Sequence, residues 1–281
     1  MAGAWPSRYT FFMTLIEPAV GPLVRTWRRR RSMSQLDLAT EAEISQRHLS
    51  FVESGRATPS RDMIMRLAEH LAIPLRERNA LLIAAGFAPL HSERRLDDPA
   101  LVAAREAVDL ILKGHEPHPA IAIDRHWTLA AANGAAKPFL AGVDPALLKP
   151  PINVLRLSLH PKGMAPRIVN LREWRAHIFG RLARQIDNSG DPVLIELLEE
   201  LKAYPVPVGA QPFAPKAAEA YGGIAVPLVL ADESGTLSFL STTTVFGTAL
   251  DISLSELAIE SFFPADRATA AIMHRLGAVD G

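Results

Sequence analysis

In the front third of the chain, apolar residues recur at intervals of three and four, the spacing of helices that bury one face. Two of the predicted helices are short and follow each other closely, Gln35–Glu41 and Gln46–Glu53. Each is preceded by a serine, Ser34 or Ser45, whose hydroxyl can accept a free backbone amide of the first turn. Gly55 follows the second helix and suits the left-handed conformation that ends many helices.

Two short helices joined by a turn of about three residues are typical of the helix-turn-helix unit, whose second helix enters the major groove of DNA. On a helical wheel, Leu49 and Val52 lie on one side of the second helix. The opposite side carries Gln46, Arg47, Ser50 and Phe51. Gln and Arg can pair with adenine and guanine, and an aromatic ring can contact a thymine methyl group. Two alternatives stay open: an ordinary amphipathic surface helix, and packing of Phe51 against a neighbouring helix.

Three more helices are predicted around this unit, at residues 23–31, 61–71 and 75–85. Between residues 21 and 91 there are 11 arginines, no lysine and 7 acidic side chains, a formal charge of +4 in a chain that is neutral overall. A basic front and an acidic back favour DNA contact by one domain only. The four-arginine run that ends the first helix is either a solvated helix end or a phosphate contact. We predict the second, through Arg30 and Arg31.

The chain has 281 residues, of which 48% are apolar and 21% are charged, and this predicts a globular protein of two domains. The first 20 residues are either an N-terminal arm or a misassigned start, with Met13 as the alternative first residue. The predicted divisions that follow are a helix-turn-helix domain at residues 21–88, a linker at 89–100 and a second domain at 101–281.

Cysteine is absent, which excludes disulfides, thiolate catalysis and cysteine-based metal sites and is typical of a reducing compartment. The apolar run at residues 9–16 has about half of the length needed to cross a bilayer. It also lacks the cleavage site of a signal peptide. We therefore expect a cytoplasmic protein with no membrane contact.

After residue 118 the helical spacing gives way to short apolar, β-branched runs. Strands are predicted at residues 120–124, 127–131, 224–231, 236–246 and 254–263. Helices are predicted at residues 133–140, 153–159, 171–186 and 192–201, and after Asp266. This order predicts an α+β domain in which helices cover one face of a small sheet and leave a cavity for a small molecule.

The front domain resembles the DNA-binding domain of the phage-repressor (XRE) family. Gln35 and Gln46 open their helices eleven positions apart, as in those repressors, and residues 38–39, 49, 52–53 and 55–60 also match. The resemblance implies phosphate contacts by Gln35 and Arg56, and base reading by Gln46, Arg47, Ser50 and Phe51. Glu43 departs from the family, which usually has glycine there. We therefore expect a positive φ at Glu43. Such a φ destabilises a residue other than glycine by about 1 kcal/mol.

The back domain resembles the ligand-binding domain of MmyB-like regulators, a PAS-like fold that follows a repressor-type domain in the same chain. The segments that carry this resemblance are residues 122–133, 153–156, 173–174, 244–248 and 260–266. The two resemblances together cover roughly residues 20–276. They imply an all-α five-helix repressor-type domain followed by an α+β PAS-like domain. They also imply an apolar ligand, such as a fatty acid, that alters the affinity for DNA.

Candidate pocket residues follow from the chemistry that such a ligand needs. We expect apolar walls from Trp127, Phe139, Trp174 and Phe246. We expect contacts to a polar head group from Asn133, Asn153, Arg156 and His177. The alternatives are a plain core position for each aromatic residue, a surface ion pair for Arg156, and a core or solvent-facing position for His177.

Other chemistry has little support in the sequence. His115 and His118 lack the spacing that places two histidines on one helical face, and Pro117 and Pro119 interrupt any helix there. The P-loop and the Gly-x-Ser-x-Gly nucleophile motif are absent. We therefore expect no metal site, no cofactor and no catalysis.

These features are compatible with three functions. The first is a DNA-binding repressor that responds to an apolar small molecule and acts as a homodimer on half-sites roughly 34 Å apart. The second is a DNA-binding regulator whose back domain binds a protein and no metabolite, for which a collapsed core would be evidence. The third is an enzyme, which convergent titratable side chains in a pocket would favour. We expect the first.

Overall fold

The structure is a computed structural model that describes residues 19–207, 210–212, 225–247 and 249–277. The chain divides into two units between His91 and Ser92. The predictions for the first 18 residues, and those for Ile224 and Thr248, lie outside the described residues.

The described part of the first unit is helical, as predicted. Its helices are α1 (Val20–Arg30), α2 (Gln35–Glu41), α3 (Gln46–Glu53), α4 (Arg61–His70) and α5 (Leu75–Ala84). Their shared core contains fully buried leucines and an isoleucine, among them Leu38, Leu49 and Ile64. Gly21 brings α1 close to α3, because a Cβ atom at this position would lie 2.3 Å from the carbonyl oxygen of Val52.

Local hydrogen bonds explain where the two short helices begin. The hydroxyl of Ser34 accepts the amide of Asp37 at 3.1 Å, and the Asp37 carboxylate accepts the amide of Ser34 at 2.8 Å. This reciprocal pair is a capping box. Ser45 caps α3 by accepting the amide of His48 at 3.1 Å. The positive φ expected in the turn between α2 and α3 is present, at 53° for Glu43.

The second unit mixes helices with one antiparallel sheet, and the predicted α+β class is confirmed. Its strands are β1 (Ala120–Ile123), β2 (Leu129–Ala132), β3 (Leu228–Asp232), β4 (Gly235–Val245) and β5 (Ala258–Pro264), in the order β2-β1-β5-β4-β3. Its helices are α6 (Val102–Gly114), α7 (Val154–Leu159), α8 (Leu171–Ser189), α9 (Pro192–Ala203), α10 (Ile252–Ser255) and α11 (Arg267–Gly277). No helix in the described part of the chain is long and apolar enough to cross a membrane.

Two predicted elements differ in detail. The strand expected from residue 254 begins later, because Asp251 accepts the amide of Ser253 at 3.0 Å and caps the short helix α10. The helix expected at residues 133–140 is a 3-10 helix, Gly134–Leu140. Pro138 lacks the amide that an α-helical hydrogen bond would need at that position.

The sheet has two apolar faces. Ile121, Phe239 and Phe262 belong to the main core, which also contains residues of α7 and α8. The other face packs against α6 through a smaller cluster formed by Val108, Leu112, Ala120, Ala122 and Ile259. The alternation along β1 and β5 follows from the two-residue repeat of a strand. Helices therefore cover both faces of the sheet, and the prediction that they cover one face was wrong. The cavity lies on the side of the main core.

Candidate functional site

The outer face of α3 carries the four side chains predicted to read bases. Gln46 and Arg47 are exposed, and Ser50 and Phe51 are half-buried. Leu49 on the opposite face is completely buried, as the wheel predicts. The helix therefore presents amide, guanidinium, hydroxyl and aromatic groups on one side, which are groups that can contact base edges in a major groove.

Phe51 lies between two arginines. The guanidinium carbon of Arg47 is 5.3 Å from the centre of the Phe51 ring, and that of Arg56 is 4.7 Å away. Such distances allow cation–π attraction. Arg56 is further held by a 3.0 Å hydrogen bond from its Nε to the hydroxyl of Ser54. Both exposed arginines are thus oriented on the same surface as the outer face of α3.

A buried ion pair fixes α3 to the helices before it. Arg28 on α1 donates to both carboxylate oxygens of Glu53, at 2.6 and 2.9 Å. Gln35 on α2 donates to the same carboxylate at 2.8 Å. Burial opposes ionisation of Glu53, but the hydrogen bonds from Arg28 and Gln35 and the charge of Arg28 outweigh it and lower the pKa of Glu53.

The predicted phosphate contacts differ in how they are held. Gln35 is half-buried and uses one side-chain amide hydrogen for Glu53. The exposed guanidinium of Arg30 lies 5.1 Å from the ring of Trp27. Arg31 donates to the carbonyls of Leu71 and Ala72, at 2.9 and 3.2 Å, and so binds the C-terminal end of α4. Arg31 therefore has an internal structural role that its place in an arginine run does not reveal.

A partly open cavity of about 370 Å³ lies in the second unit. Its lining comes from the sheet, from α7 and α8, and from the 3-10 helix Gly134–Leu140. Most of the lining is apolar and includes Leu129, Leu157, Met164, Ile178 and Phe262. A cavity of this size and composition is typical of a small-molecule site.

One wall of the cavity carries a buried ion pair. Arg181 on α8 donates to Glu260 on β5 through both terminal nitrogens, one of them at 3.0 Å. Arg181 also donates to the hydroxyl of Thr243 at 2.6 Å, and that hydroxyl donates to Glu260 at 2.8 Å. The guanidinium lies 4.6 Å from the ring centre of Trp127. This wall is therefore polar but internally neutralised.

Trp127 adopts an unusual backbone conformation beside this pair. Its φ is 66°, which is rare for a bulky residue and indicates local strain. The indole nitrogen donates to Gln185 at 2.9 Å, and the backbone carbonyl accepts the amide of Val154 at 2.9 Å. The strained turn is thus held in place by α7 and α8, and it places the indole ring in the cavity wall.

Four of the eight predicted pocket residues line the cavity, namely Trp127, Asn133, Phe139 and Trp174. The indole nitrogen of Trp174 donates to the hydroxyl of Ser158 at 3.0 Å. The buried amide of Asn133 accepts the amide of Ala120 and donates to the carbonyls of Leu112 and His118. Asn133 therefore holds β1 to the chain around it, although it also touches the cavity.

The other four predicted residues lie outside the cavity lining, and each has another role. Asn153 caps α7 by accepting the amides of Leu155 and Arg156. Arg156 forms an exposed ion pair with Glu200 at 2.7 Å. His177 stacks on the outer side of Trp174 at 5.4 Å, where burial and the charges of Arg181 and Arg184 lower its pKa. Phe246 packs with the cluster under α6.

Sequence reasoning missed Arg181 and Glu260. A signal for each was available in the sequence. Trp174, Ile178 and Arg181 follow each other at intervals of four and three, so they share one face of α8. Glu260 and Phe262 alternate with outward residues along β5, so they share one face of the sheet. The pairing of a charge on the helix with a charge on the strand could not be deduced without the topology.

A third histidine, His274, lies close to His115 and His118 in the fold. The His118 ring lies 5.9 Å from that of His115 and 5.8 Å from that of His274 on α11. The buried Nδ1 atom of His118 has no hydrogen-bond partner. Among the described residues, no group of three His, Cys, Asp or Glu side chains has a geometry that could hold a metal ion.

Two short helices joined by a turn in one unit, with polar groups exposed on the second helix, and a sheet domain with a cavity in the other are typical of DNA-binding transcription regulators. The family model for the MmyB-like transcription regulator ligand binding domain matches residues 104–276, and a helix-turn-helix model matches residues 24–78. Because the first match spans more than half of the chain, the protein belongs to the MmyB-like transcription regulators. Both resemblances seen in the sequence are thereby confirmed.

No curated protein matches the chain. Among solved structures, the clp gene regulator ClgR from Corynebacterium glutamicum is 24% identical, with 37% of this chain and 96% of that chain covered and a TM-score of 0.22. An RNA-binding light-oxygen-voltage receptor is 11% identical, with 93% of this chain and 63% of that chain covered and a TM-score of 0.24. At such TM-scores, the class rests on the family matches and not on these structures.

Proposed function

We propose that the protein is a cytoplasmic repressor that binds its operator as a homodimer and releases it when an apolar, fatty-acid-like molecule occupies the cavity. The observation that carries this proposal is the cavity of about 370 Å³ in the second unit. Known small-molecule pockets have volumes of roughly 300–1,000 Å³ and mostly apolar walls. An effector can alter DNA affinity only if it binds the two states of the regulator with different affinities.

Base reading is proposed for Gln46, Arg47, Ser50 and Phe51 on the outer face of α3. Phosphate contacts are proposed for Gln35, Arg56, Arg30 and Arg31. Arg30 and Arg56 are exposed, which supports a phosphate contact by each of them. Arg31 already donates to two carbonyls. A dimer would place two α3 helices in successive major grooves, roughly 34 Å apart.

A ligand is favoured over a protein partner for the second unit because its core is not collapsed around the cavity. Binding is favoured over catalysis because Arg181 and Glu260, two of the ionisable groups in the cavity lining, are hydrogen-bonded to each other. A general acid or base would instead need to reach the reacting group of a substrate. We therefore propose a sensor with apolar walls formed by Trp127, Phe139 and Trp174.

Two measurements on the full chain test this proposal. Native mass spectrometry of the protein purified from its host should reveal a bound molecule of lipid-like mass, which denaturation releases. Selection from random DNA duplexes followed by footprinting should reveal two protected half-sites with a centre-to-centre spacing of roughly 34 Å. A footprint without such a repeat would argue against the dimer.

A cavity-filling variant separates sensing from DNA binding. Ile178→Trp should fill the cavity, so that lipid extract from the host no longer weakens operator binding while the affinity for DNA itself is kept. The matched control is Ile195→Trp, because Ile195 is 46% exposed on α9 and lies outside the lining. A response that persists in Ile178→Trp would show that the effector binds elsewhere.

A further inference from the structure

The ionisable residues that line the cavity are unequally compensated. They are Lys137, Arg181 and Glu260. Arg181 and Glu260 are joined by two hydrogen bonds and share a third partner, Thr243. Lys137 makes no hydrogen bond or ion pair with any described residue. The lining therefore carries one uncompensated positive charge, and it belongs to Lys137.

The wall with Arg181 is a poor place for an anionic group. The guanidinium already uses both terminal nitrogens and stacks on the Trp127 ring at 4.6 Å. The Glu260 side chain is only 4% exposed. A carboxylate placed there would lie beside the buried carboxylate of Glu260, whose charge already neutralises that of Arg181, and this is costly where water is excluded.

Lys137, unlike the buried Glu260, is in contact with solvent. It is exposed, and it sits on the 3-10 helix Gly134–Leu140 beside the partly exposed Leu140 and the buried Phe139. All three of these residues line the cavity. A lysine can lay its methylene stem along apolar surface and keep its ammonium group in water. Lys137 can therefore cover an apolar ligand and meet a charged group at the opening.

We infer that the cavity takes an anionic amphiphile in one orientation, with the apolar tail enclosed by the main core and the acidic head group held by Lys137 at the rim. The Arg181–Glu260 pair then forces this orientation by excluding an acidic head from the interior. This inference rests on the proposed sensing function, because it requires that the cavity binds an apolar small molecule.

The test compares two ligands with the same tail and different heads. Displacement of the neutral fluorescent probe N-phenylnaphthylamine from the full chain by decanoate and by decanol is measured at neutral pH. The variants are Lys137→Met, which keeps an apolar stem, Lys137→Glu, which reverses the charge, and Lys137→Arg, which restores it. Lys149→Met is the matched control, because Lys149 is also exposed but lies outside the lining.

We expect Lys137→Met to weaken the binding of decanoate by about fivefold, which is the effect of losing a partly exposed ion pair. The affinity for decanol should change by less than about twofold. Lys137→Glu should weaken decanoate further, and Lys137→Arg should restore it. Added salt should weaken decanoate binding to the unmodified chain and to the control, but not to Lys137→Met, because salt screens exposed charges.

The failures of the two proposals are distinguishable. If the probe does not bind, or if neither ligand displaces it, the cavity is not an apolar site and both proposals are overturned. If both ligands displace the probe and Lys137→Met weakens them equally, the cavity binds amphiphiles and only the role of Lys137 is overturned. Stronger decanoate binding in Glu260→Gln together with an unchanged Lys137→Met would place the head group at Arg181 instead.

Discussion

Each unit buries an arginine–glutamate pair, and the two pairs have different surroundings. Arg28 and Glu53 lie between packed helices, with 10% and 3% of their side chains exposed, and Gln35 donates a further hydrogen bond. Arg181 and Glu260 have 23% and 4% exposed and face a cavity. The first pair lies among side chains of three helices, whereas the second borders a cavity that a ligand or water can enter. The same chemistry therefore joins packed helices in one unit and lines a cavity in the other.

The largest expected effect is on the first pair. Glu53→Gln would leave the Arg28 charge buried without its counter-charge, so the free energy of unfolding of the first unit should fall by about 3–5 kcal/mol. Hydrogen exchange of peptides from α1 to α3 in the full chain measures this loss. Glu41→Gln, an exposed residue of α2, is the matched control and should change little.

The same change in the second pair sharpens the comparison. Glu260→Gln should cost less, roughly 1–3 kcal/mol, because water in the cavity can solvate Arg181 and Thr243 keeps a hydrogen bond to it. Hydrogen exchange of peptides from α8 and β5 measures it. An equal loss in the two units would mean that the cavity gives the second pair no access to water, and the contrast between the pairs would fail.

The next prediction concerns the close contact of α1 with α3. Gly21→Ala should destabilise the first unit by about 1–3 kcal/mol, because the added Cβ atom would meet the Val52 carbonyl at 2.3 Å and the backbone would have to shift. Urea denaturation of the full chain measures the change. Gly114→Ala on α6 is the control, because its Cβ would meet nothing within 4 Å and alanine favours a helix.

The sequence predicted the two sites to different degrees, for a physical reason. The predicted base-reading face lies on eight consecutive residues of α3, so helical periodicity and two serine caps were sufficient to predict this helix and its exposed side. The cavity is lined by residues from Ile121 to Phe262, which only the sheet order brings together. Trp127 and Trp174 line the cavity as predicted, whereas Phe246 packs with the cluster under α6.

Polar residues were harder to place, because the same side chain serves many local roles. Asn153 caps α7 and Arg156 pairs with Glu200, and residue type alone does not distinguish these roles from a position in the pocket. Arg31 likewise binds the end of α4 through Leu71, which is 40 residues away in the chain. Contacts between polar residues that are distant in the chain are therefore the hardest to predict from the sequence.

On the DNA surface the expected effect is on binding and not on folding, and base reading should separate from phosphate contact. Gln46→Ala should lose about 1–3 kcal/mol on the selected operator and little on random DNA, because Gln46 would lose a base contact. Arg56→Ala should weaken both about equally and lower the slope of log K against log salt by about 1. Fluorescence anisotropy at several salt concentrations measures both. If Gln46→Ala weakened both DNAs equally, α3 would not read bases through this residue.

The smallest expected effect concerns His118 in the second unit, whose buried Nδ1 atom has no hydrogen-bond partner. Burial first, then the nearby His115 and His274, lowers the pKa of His118 below its ordinary value of about 6.5. The unfolded chain therefore binds a proton more readily than the folded chain. The contribution of neutral His118 to stability is complete above about pH 6.5 and is lost as the pH falls toward the lower pKa of the folded state.

His118→Leu should remove this part of the pH dependence, because leucine fills a similar apolar site and binds no proton. Thermal unfolding of the full chain between about pH 7 and pH 5 should show a smaller decline for this variant than for the unmodified chain. His70→Leu, which changes an exposed histidine of the first unit, is the control and should leave the decline unchanged. If His118→Leu declined as steeply as the unmodified chain, the buried His118 would contribute nothing to the pH response.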